Sequence, residues 1–253
     1  MFNWFYTGLK TGIRTTPYPA KTDAAPGVSP GHPRATRFDA QVATVLAMRC
    51  PTGALVRHQR GVDVDYRHCV HCSRCRRDTG SAVMDWSQDY DWGALGAQAE
   101  RAGHRFRDIF GHSLHIRFLD AGACGACMSE ARQLNNPYYN IHRLGFFITP
   151  TPRDADILLV AGPVTDAMRI PLQKTYAAMP EPKRVVAMGV CALSGGVFGP
   201  SFISAGGVAQ VIPVDVLVPG CPPPPLAILH GLLLAVERTM PSLLTMRVAE
   251  TET

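Results

Sequence analysis

The sequence contains 253 residues, of which 46% are hydrophobic and 18% are charged, and its net charge is +5. This length allows one large domain or one domain with an appendage, and the low charge content is compatible with a real hydrophobic core. Because the basic residues are spread along the chain, a dedicated nucleic-acid surface is not expected.

The longest apolar stretch, residues 227–236, is far shorter than the roughly 20 residues that a membrane span requires. The first residues do not follow the order of basic flank, apolar segment and cleavage site that marks a signal peptide. We therefore predict a soluble or peripheral protein that is not exported.

The eight cysteines are then expected in a reducing compartment, where metal binding is more common than disulfides. They divide into two groups of four with none left over. The upstream quartet is Cys50, Cys69, Cys72 and Cys75, and the downstream quartet is Cys124, Cys127, Cys191 and Cys221. A disulfide framework is the less favoured alternative, since nothing indicates an oxidising compartment.

Residues 1–36 are predicted to be an extended N-terminal segment that wraps over another part of the protein. The helix-breaking residues are Pro17, Pro19, Pro26, Pro30 and Pro33. The first six residues are aromatic and apolar. They either pack on the chain's own domain or on a partner, or they lie at the lipid interface or on a membrane-embedded partner.

Residues 37–80 are predicted to form a ferredoxin-like module with one cluster. Bacterial ferredoxins contain Cys-x2-Cys-x2-Cys-x3-Cys-Pro runs in which the last cysteine ligates the other cluster. Cys50-Pro51 matches such a last cysteine, and Cys69-Val-His-Cys72-Ser-Arg-Cys75 matches the first three cysteines of a second run. The positions that would complete a second cluster site hold Ala40, Ala43, Leu46 and Thr79. The upstream quartet therefore predicts one [4Fe–4S] cluster.

A zinc site is the alternative for this module, with His68 or His71 as a ligand. Zinc favours paired Cys-x2-Cys motifs or two cysteines with two histidines, so the observed spacing fits iron–sulfur better. The two histidines are then expected to be exposed flanking residues. Arginines surround the motif and would either stabilise the charge of the cluster or form a solvated, partner-facing surface. They are Arg57, Arg60, Arg67, Arg74, Arg76 and Arg77.

Residues 81–113 are predicted to be a linker with a short helix at about 92–102. Residues 114–240 alternate between strand and helix patterns, and residues 241–253 form a C-terminal tail. Strands are predicted at 115–119, 145–148, 156–160, 184–188 and 214–218, and helices at 128–135, 166–178 and 225–238. This alternation predicts an α/β fold: a flavodoxin-like open, mostly parallel sheet, preceded by the ferredoxin-like (α+β) half-module.

The downstream quartet follows the predicted strands. Cys124, Cys191 and Cys221 each come a few residues after a strand, and ligands of open parallel sheets sit outside the carboxyl ends of the strands. We therefore expect these thiols to meet Cys127 at one edge of the sheet and to bind a cluster. Cys124-Gly-Ala-Cys127 alone is also compatible with zinc or with a thioredoxin-like dithiol, but a dithiol leaves Cys191 and Cys221 unexplained.

The segment from about residue 114 to 237 resembles the small, cluster-bearing subunit of energy-converting [NiFe] hydrogenases, formate hydrogenlyase included, and its relative in respiratory complex I. The motifs that carry the resemblance are Cys124-x2-Cys127-x2-Glu130, Asn135-Asn-Pro-Tyr-Tyr139, residues 153–165, Val186-Ala-Met-Gly-Val-Cys191 and residues 212–223. The upstream module resembles the separate ferredoxin-type subunit of the same complexes, so the chain looks like a fusion of the two.

The resemblance implies that the downstream quartet holds the [4Fe–4S] cluster nearest to the reaction site of a large subunit, so that the chain carries two [4Fe–4S] clusters. It also implies partners: a hydrogenase-like or complex I-like large subunit, further iron–sulfur subunits and membrane-embedded subunits. Glu130 matches an acidic position of the family and is either a subunit contact or an acid favoured by the helix dipole. The implied location is peripheral, at the cytoplasmic face of the inner (plasma) membrane.

The sequence is compatible with three candidate functions. The favoured one is electron transfer in a hydrogenase or formate-hydrogenlyase-like complex, because complex I relatives have adjacent cysteines where this chain has Cys124-Gly-Ala-Cys127. The alternative is the equivalent subunit of a complex I-like quinone oxidoreductase whose large subunit lacks nickel. A zinc-bearing binding module, for example for nucleic acid, is the third and least favoured. The expected catalytic residues lie on a partner, so none is assigned here.

Overall fold

The computed structural model describes residues 3–35, 40–58, 61–79, 84–96 and 113–241. Its largest element is a six-stranded sheet with the order β5-β10-β9-β8-β6-β7. The strands are β5 (Ala94–Leu95), β6 (Leu114–Asp120), β7 (Phe146–Ile148), β8 (Ile157–Ala161), β9 (Arg184–Met188) and β10 (Val216–Val218). Every pairing is parallel except that of β5 with β10. The predicted mostly parallel α/β sheet is confirmed.

Helices cover both faces of this sheet. They are α4 (Ala126–Gln133), α5 (Asp166–Ala178), α6 (Val190–Ser194) and α7 (Pro225–Ala235). All five residues of β8 are buried. Ile157 and Leu159 join the core that contains α7, whereas Leu158 and Val160 join the core that contains Leu172 of α5. This two-sided burial explains why β8 is continuously apolar and does not alternate.

A second, smaller core belongs to the upstream module. Strand β1 (His32–Ala35) pairs with β4 (Met84–Ser87), and β2 (Leu55–His58) forms a hairpin with β3 (Gly61–Val64). The helices are α2 (Ala40–Arg49) and α3 (Arg74–Thr79). The buried core residues are Ala43, Leu46, Leu55, Val62 and Met84. The expected limits of the module, 37 and 80, fall in ranges outside the described residues, and β1 and β4 lie just beyond them.

The N-terminal segment begins with a helix that was not predicted, α1 (Asn3–Thr11), and its residues Tyr18 and Val28 join the core that contains α7. Beyond α1, a buried hydrogen-bonded clip holds the chain. The Thr16 amide donates to the Tyr138 carbonyl, and Asp23 accepts from the Thr16 hydroxyl at 2.5 Å and from the Tyr138 hydroxyl at 2.6 Å. The Asp23 amide donates to the Tyr90 hydroxyl. Side-chain anchors therefore compensate for the absence of regular structure.

The helix predicted at 92–102 is wrong over its first residues, and the remainder lies outside the described residues. Ala94 and Leu95 form the antiparallel edge strand β5, because Trp92 and Ala94 are buried and the backbone pairs with β10. Within the described parts of the chain, no helix has the length and apolarity needed to cross a membrane.

Candidate metal centres

The downstream quartet lies at the carboxyl ends of three parallel strands. Cys124 is in the loop after β6 and Cys127 is in the first turn of α4; Cys191 is in α6 directly after β9, and Cys221 comes three residues after β10. Strands β9 and β10 are neighbours, and β8 separates β9 from β6. The predicted edge of the sheet is the one that carries these cysteines.

Backbone hydrogen bonds hold the loops of the downstream quartet in place. The Asp120 carboxylate accepts from the amides of Gly122 at 2.9 Å and Ala123 at 2.6 Å, which turns the chain sharply into Cys124. Between the other two loops, the Gly189 amide donates to Val218 and the Val190 amide donates to Gly220. These two bonds join the start of the helix that carries Cys191 to the loop that carries Cys221.

The downstream thiols are near enough to affect each other's ionisation. Burial, together with the smaller effect of the negative charges of Cys191, Cys221 and Cys124, raises the pKa of Cys127 to about 12. Burial and then neighbouring thiolates also raise the pKa of Cys191 and of Cys221. Four thiolates at this edge repel one another, so only a strongly cationic centre could hold them deprotonated together.

Two glycines leave the space that these thiols occupy. A Cβ atom added at Gly189 would lie 2.6 Å from Cys127 Sγ, and one added at Gly196 would lie 2.9 Å from Cys191 Sγ. Both residues have positive φ angles, 85° and 60°, which favour glycine. The glycine-bearing loop is therefore shaped around the sulfur atoms.

The upstream quartet lines one cavity. Cys50 follows α2, Cys69 and Cys72 lie in the loop between β3 and α3, and Cys75 lies in α3. All four cysteines line the cavity together with apolar side chains. These include Leu46, Ala54, Leu55, Val70 and Trp86. The four upstream residues predicted as ligands are thus brought together around one cavity.

Burial and backbone donors act in opposite directions on the upstream thiols. Burial favours the neutral form of Cys50, but hydrogen bonds from the backbone amides of Thr52, Leu55 and Ala54 and from the Thr52 hydroxyl lower its pKa overall. Burial raises the pKa of Cys69 to about 12 despite a hydrogen bond from the His71 amide. The loop after α2 therefore presents Cys50 as the thiol whose ionised form is best stabilised by hydrogen bonds.

A hydrogen bond joins the helix that carries Cys191 to the loop that carries Cys69. The Ser194 hydroxyl donates to the Arg67 carbonyl oxygen at 2.6 Å and also lies 3.2 Å from the Val190 carbonyl oxygen. Arg67 precedes Cys69 by two residues, and Val190 precedes Cys191 directly. Sequence reasoning missed Ser194, because a serine beside glycines carries no distinguishing pattern.

A buried aromatic contact also connects the two parts of the chain. The Trp92 ring packs edge-on against His71 at 4.9 Å and against His32 at 5.7 Å between centroids. The next residue, Gly93, donates its amide to His230 Nδ1 of α7 at 2.9 Å. The expectation that His71 is exposed is wrong: both ring nitrogens are buried, and burial lowers the pKa of His71 to about 4, so the ring is neutral at pH 7. His68 is partly exposed beside Asp65.

The helix-dipole interpretation of Glu130 is wrong, since α4 begins at Ala126 and its first turn contains no acidic residue. Glu130 lies one turn further, partly buried, and burial raises its pKa. Its nearness to Cys127 places it beside the downstream quartet. The predicted subunit contact stays a prediction.

The donor sets fit iron–sulfur clusters, which are held by four cysteine thiolates. None of the eight cysteines, all of which lie in described ranges, forms a disulfide. Among the described residues, no three His, Cys, Asp or Glu side chains converge closely enough to hold a single metal ion. A cubane cluster distributes its four ligands over four iron atoms, and both quartets supply that number.

Comparison with known proteins finds similar sequences among the subunits of redox complexes. The family model described as NADH ubiquinone oxidoreductase, 20 Kd subunit, matches residues 124–235. The probable membrane-bound hydrogenase subunit mbhJ of Pyrococcus furiosus is 42% identical over 130 residues, covering 51% of this chain and 78% of that protein. Formate hydrogenlyase subunit 7 of Escherichia coli is 40% identical over 124 residues, or 49% of each chain, so the match spans about half of that relative.

A chain of the membrane-bound sulfane sulfur reductase, an archaeal respiratory membrane complex, is similar in structure. It is 32% identical with a TM-score of 0.47, and the match covers 52% of this chain and 73% of that chain. The family match begins at Cys124, the first residue of the downstream quartet.

Proposed function

The chain belongs to the family of the 20 kDa subunit of NADH ubiquinone oxidoreductase, a family whose members bind iron–sulfur clusters, and from this premise we propose that it is an electron-transfer subunit. The complex it serves is a membrane-associated [NiFe] hydrogenase or a formate-hydrogenlyase-like assembly. One observation carries the proposal: the chain holds two complete cysteine quartets, and the Ser194–Arg67 hydrogen bond joins the helix that carries Cys191 to the loop that carries Cys69.

Each quartet is proposed to hold one [4Fe–4S] cluster, which supplies one-electron redox chemistry. The chain's own groups set the conditions for it. Apolar side chains line much of the upstream cavity, and the amides near Cys50 stabilise negative charge there. At the downstream quartet, Gly189 and Gly196 leave room for the thiolates of Cys127 and Cys191.

The upstream quartet is proposed as the entry point for electrons from a partner. Cys72 is exposed, and so are the nearby side chains of Arg57, Arg74, Arg76 and Arg77. An acidic redox partner would be attracted to such a basic surface. Their exposure supports the partner-facing interpretation of the arginines; Arg67 instead pairs with Asp65.

The downstream quartet is proposed to face the catalytic large subunit, with Glu130 at the contact. Further iron–sulfur and membrane-embedded subunits complete the assembly, and the chain sits peripherally at the cytoplasmic face of the inner membrane. The relatives named as hydrogenase and formate hydrogenlyase subunits support this assignment.

Anaerobic purification tests the cluster content. We expect brown protein with about eight irons, and broad visible absorption that dithionite bleaches. Colourless protein that contains only zinc would contradict the proposal. A Cys124→Ser variant should keep the upstream signal and lose about half of the iron, and Ser129→Ala, an exposed change in the helix that carries Cys127, is the control.

The identity of the complex is tested by co-purification. We expect a large subunit with paired Cys-x2-Cys nickel ligands and hydrogen evolution from reduced carrier. A nickel-free partner that reduces quinone would instead support the complex I-like alternative.

A further inference from the structure

Helix α1 is an exposed amphipathic helix. All nine of its residues are exposed, although four of them are large apolar or aromatic side chains. The exposed fractions are 76% for Trp4, 53% for Phe5, 72% for Tyr6 and 69% for Leu9. Four such side chains in one short helix form an apolar surface rather than isolated exposed residues.

The apolar and polar residues of α1 lie on separate faces. At about 100° per residue, Trp4, Phe5, Leu9 and Tyr6 fall within an arc of about 200° that also contains Gly8. The remaining arc of about 100° carries only polar residues. These are Asn3, Thr7, Lys10 and Thr11. The pattern is that of a helix that lies on an apolar surface.

A helix of this length needs such a surface. Helices shorter than ~12–15 residues are marginal in water, and α1 buries no residue against its own chain. Its base is nevertheless fixed, because Thr16 and Asp23 form the buried clip with Tyr138. The chain therefore holds α1 at a defined place outside its own core.

The charged residues near α1 indicate which kind of apolar surface the helix binds. Residues 1–22 contain Lys10, Arg14 and Lys21 and no acidic residue. All three basic side chains are exposed, and Ile13 beside them is 92% exposed. Aromatic and aliphatic residues on one face, with Lys and Arg at its border, match the interface of a bilayer with anionic headgroups.

We propose that α1 binds the anionic lipid surface of the membrane, with Trp4, Phe5 and Leu9 in the headgroup–acyl boundary and with Lys10 and Arg14 on lipid phosphates. A protein groove would not require this uniform positive charge. The biological setting rests on the membrane complex proposed above, whereas lipid binding itself needs neither clusters nor a large subunit.

Vesicle flotation of the purified full chain tests the proposal. We use phosphatidylcholine vesicles with about a third phosphatidylglycerol, and neutral phosphatidylcholine vesicles for comparison, at about 0.1 M salt. One variant carries Phe5→Asp and Leu9→Asp on the apolar face. The matched control carries Asn3→Asp and Thr7→Asp on the polar face, with the same change in charge. A third variant carries Lys10→Gln and Arg14→Gln.

We expect the wild type to float with the anionic vesicles and to stay mostly unbound with neutral ones. The apolar-face variant should lose binding, the polar-face control should retain more of it, and the third variant should lose about fivefold per basic residue removed. Equal loss in both aspartate variants, equal binding to neutral vesicles, or no flotation of the wild type would each overturn the proposal. The last result, combined with α1 cross-linking to a membrane-embedded subunit, would assign the helix to protein.

The same samples separate this inference from the proposed function. Iron content and dithionite bleaching of the variants should equal those of the wild type, because α1 is far in sequence from every cysteine and packs on none of the core. If the wild type contains clusters but does not float, the lipid-binding inference fails and the electron-transfer proposal stands. If it floats but contains no clusters, the electron-transfer proposal fails and the lipid-binding inference stands.

Discussion

Replacing Gly196 with alanine should abolish assembly of the downstream cluster while leaving the fold intact. The added Cβ atom would lie 2.9 Å from Cys191 Sγ, and 3.3 Å from the Cα and N atoms of the same residue. The matched control is Gly199→Ala, because Gly199 has the same φ of 60° and its added Cβ meets no atom within 4 Å.

The size of the effect follows from contact distances. Non-bonded heavy atoms pack about 3.5–4.0 Å apart, so the Cys191 sulfur would have to move by about half an ångström to one ångström. Metal sites tolerate ligand displacements of about 0.2 Å. Left-handed backbone costs an alanine about 1–2 kcal/mol, and this cost is common to both variants. A difference in iron content between Gly196→Ala and Gly199→Ala therefore reflects the displacement of the Cys191 sulfur.

The assay compares iron content and EPR spectra of the two variants after anaerobic purification, with circular dichroism as a check on folding. Gly199→Ala should retain about eight irons, and Gly196→Ala about four, with the upstream signal intact. Equal iron content and identical spectra in the two variants would refute the argument that this glycine makes room for a ligand thiolate.

Three further changes test other parts of the structure. Cys72→Ala should remove the upstream cluster and stop electron entry while the EPR signal of the cluster at Cys124 remains; unchanged turnover would place the upstream site off the path. Ser194→Ala should remove the hydrogen bond to Arg67, which lowers stability by about 1 kcal/mol and Tm by about 2–4 °C in thermal scans. Asp23→Asn should destabilise the N-terminal clip by about 1.5–3 kcal/mol at pH 7. Burial favours the neutral acid, but hydrogen bonds lower the pKa of Asp23 below 3.8, so its stabilisation is present above pH 3.8 and is lost as the pH falls through the lower folded-state value. The deficit of the variant should therefore shrink in acid, and a deficit that stays constant with pH would contradict this account.

The strand and helix assignments show what local patterns could predict. The helix at 166–178 and the strand at 184–188 have the bounds predicted from the sequence, because the strand–helix alternation of their apolar residues is a local signal. The short helix α6 and the strand β5 were missed. Helix α6 has only five residues and β5 only two, so neither is long enough to show a periodic pattern of apolar residues. Strand β5 forms because its backbone pairs with β10.

The two cysteine quartets, the parallel α/β sheet and the edge at which the downstream thiols lie could be predicted from the amino-acid pattern. Cysteine spacing and strand periodicity are short-range properties, and parallel strands necessarily share one carboxyl edge. Three features became visible only in the folded chain: His71 is buried against Trp92, Gly196 makes room for Cys191, and the Ser194 hydroxyl bonds to the Arg67 carbonyl. Ser194 and Arg67 are 127 residues apart in sequence. Such contacts depend on how whole elements pack, which no local pattern encodes, and here they bring the loops of the two candidate clusters together.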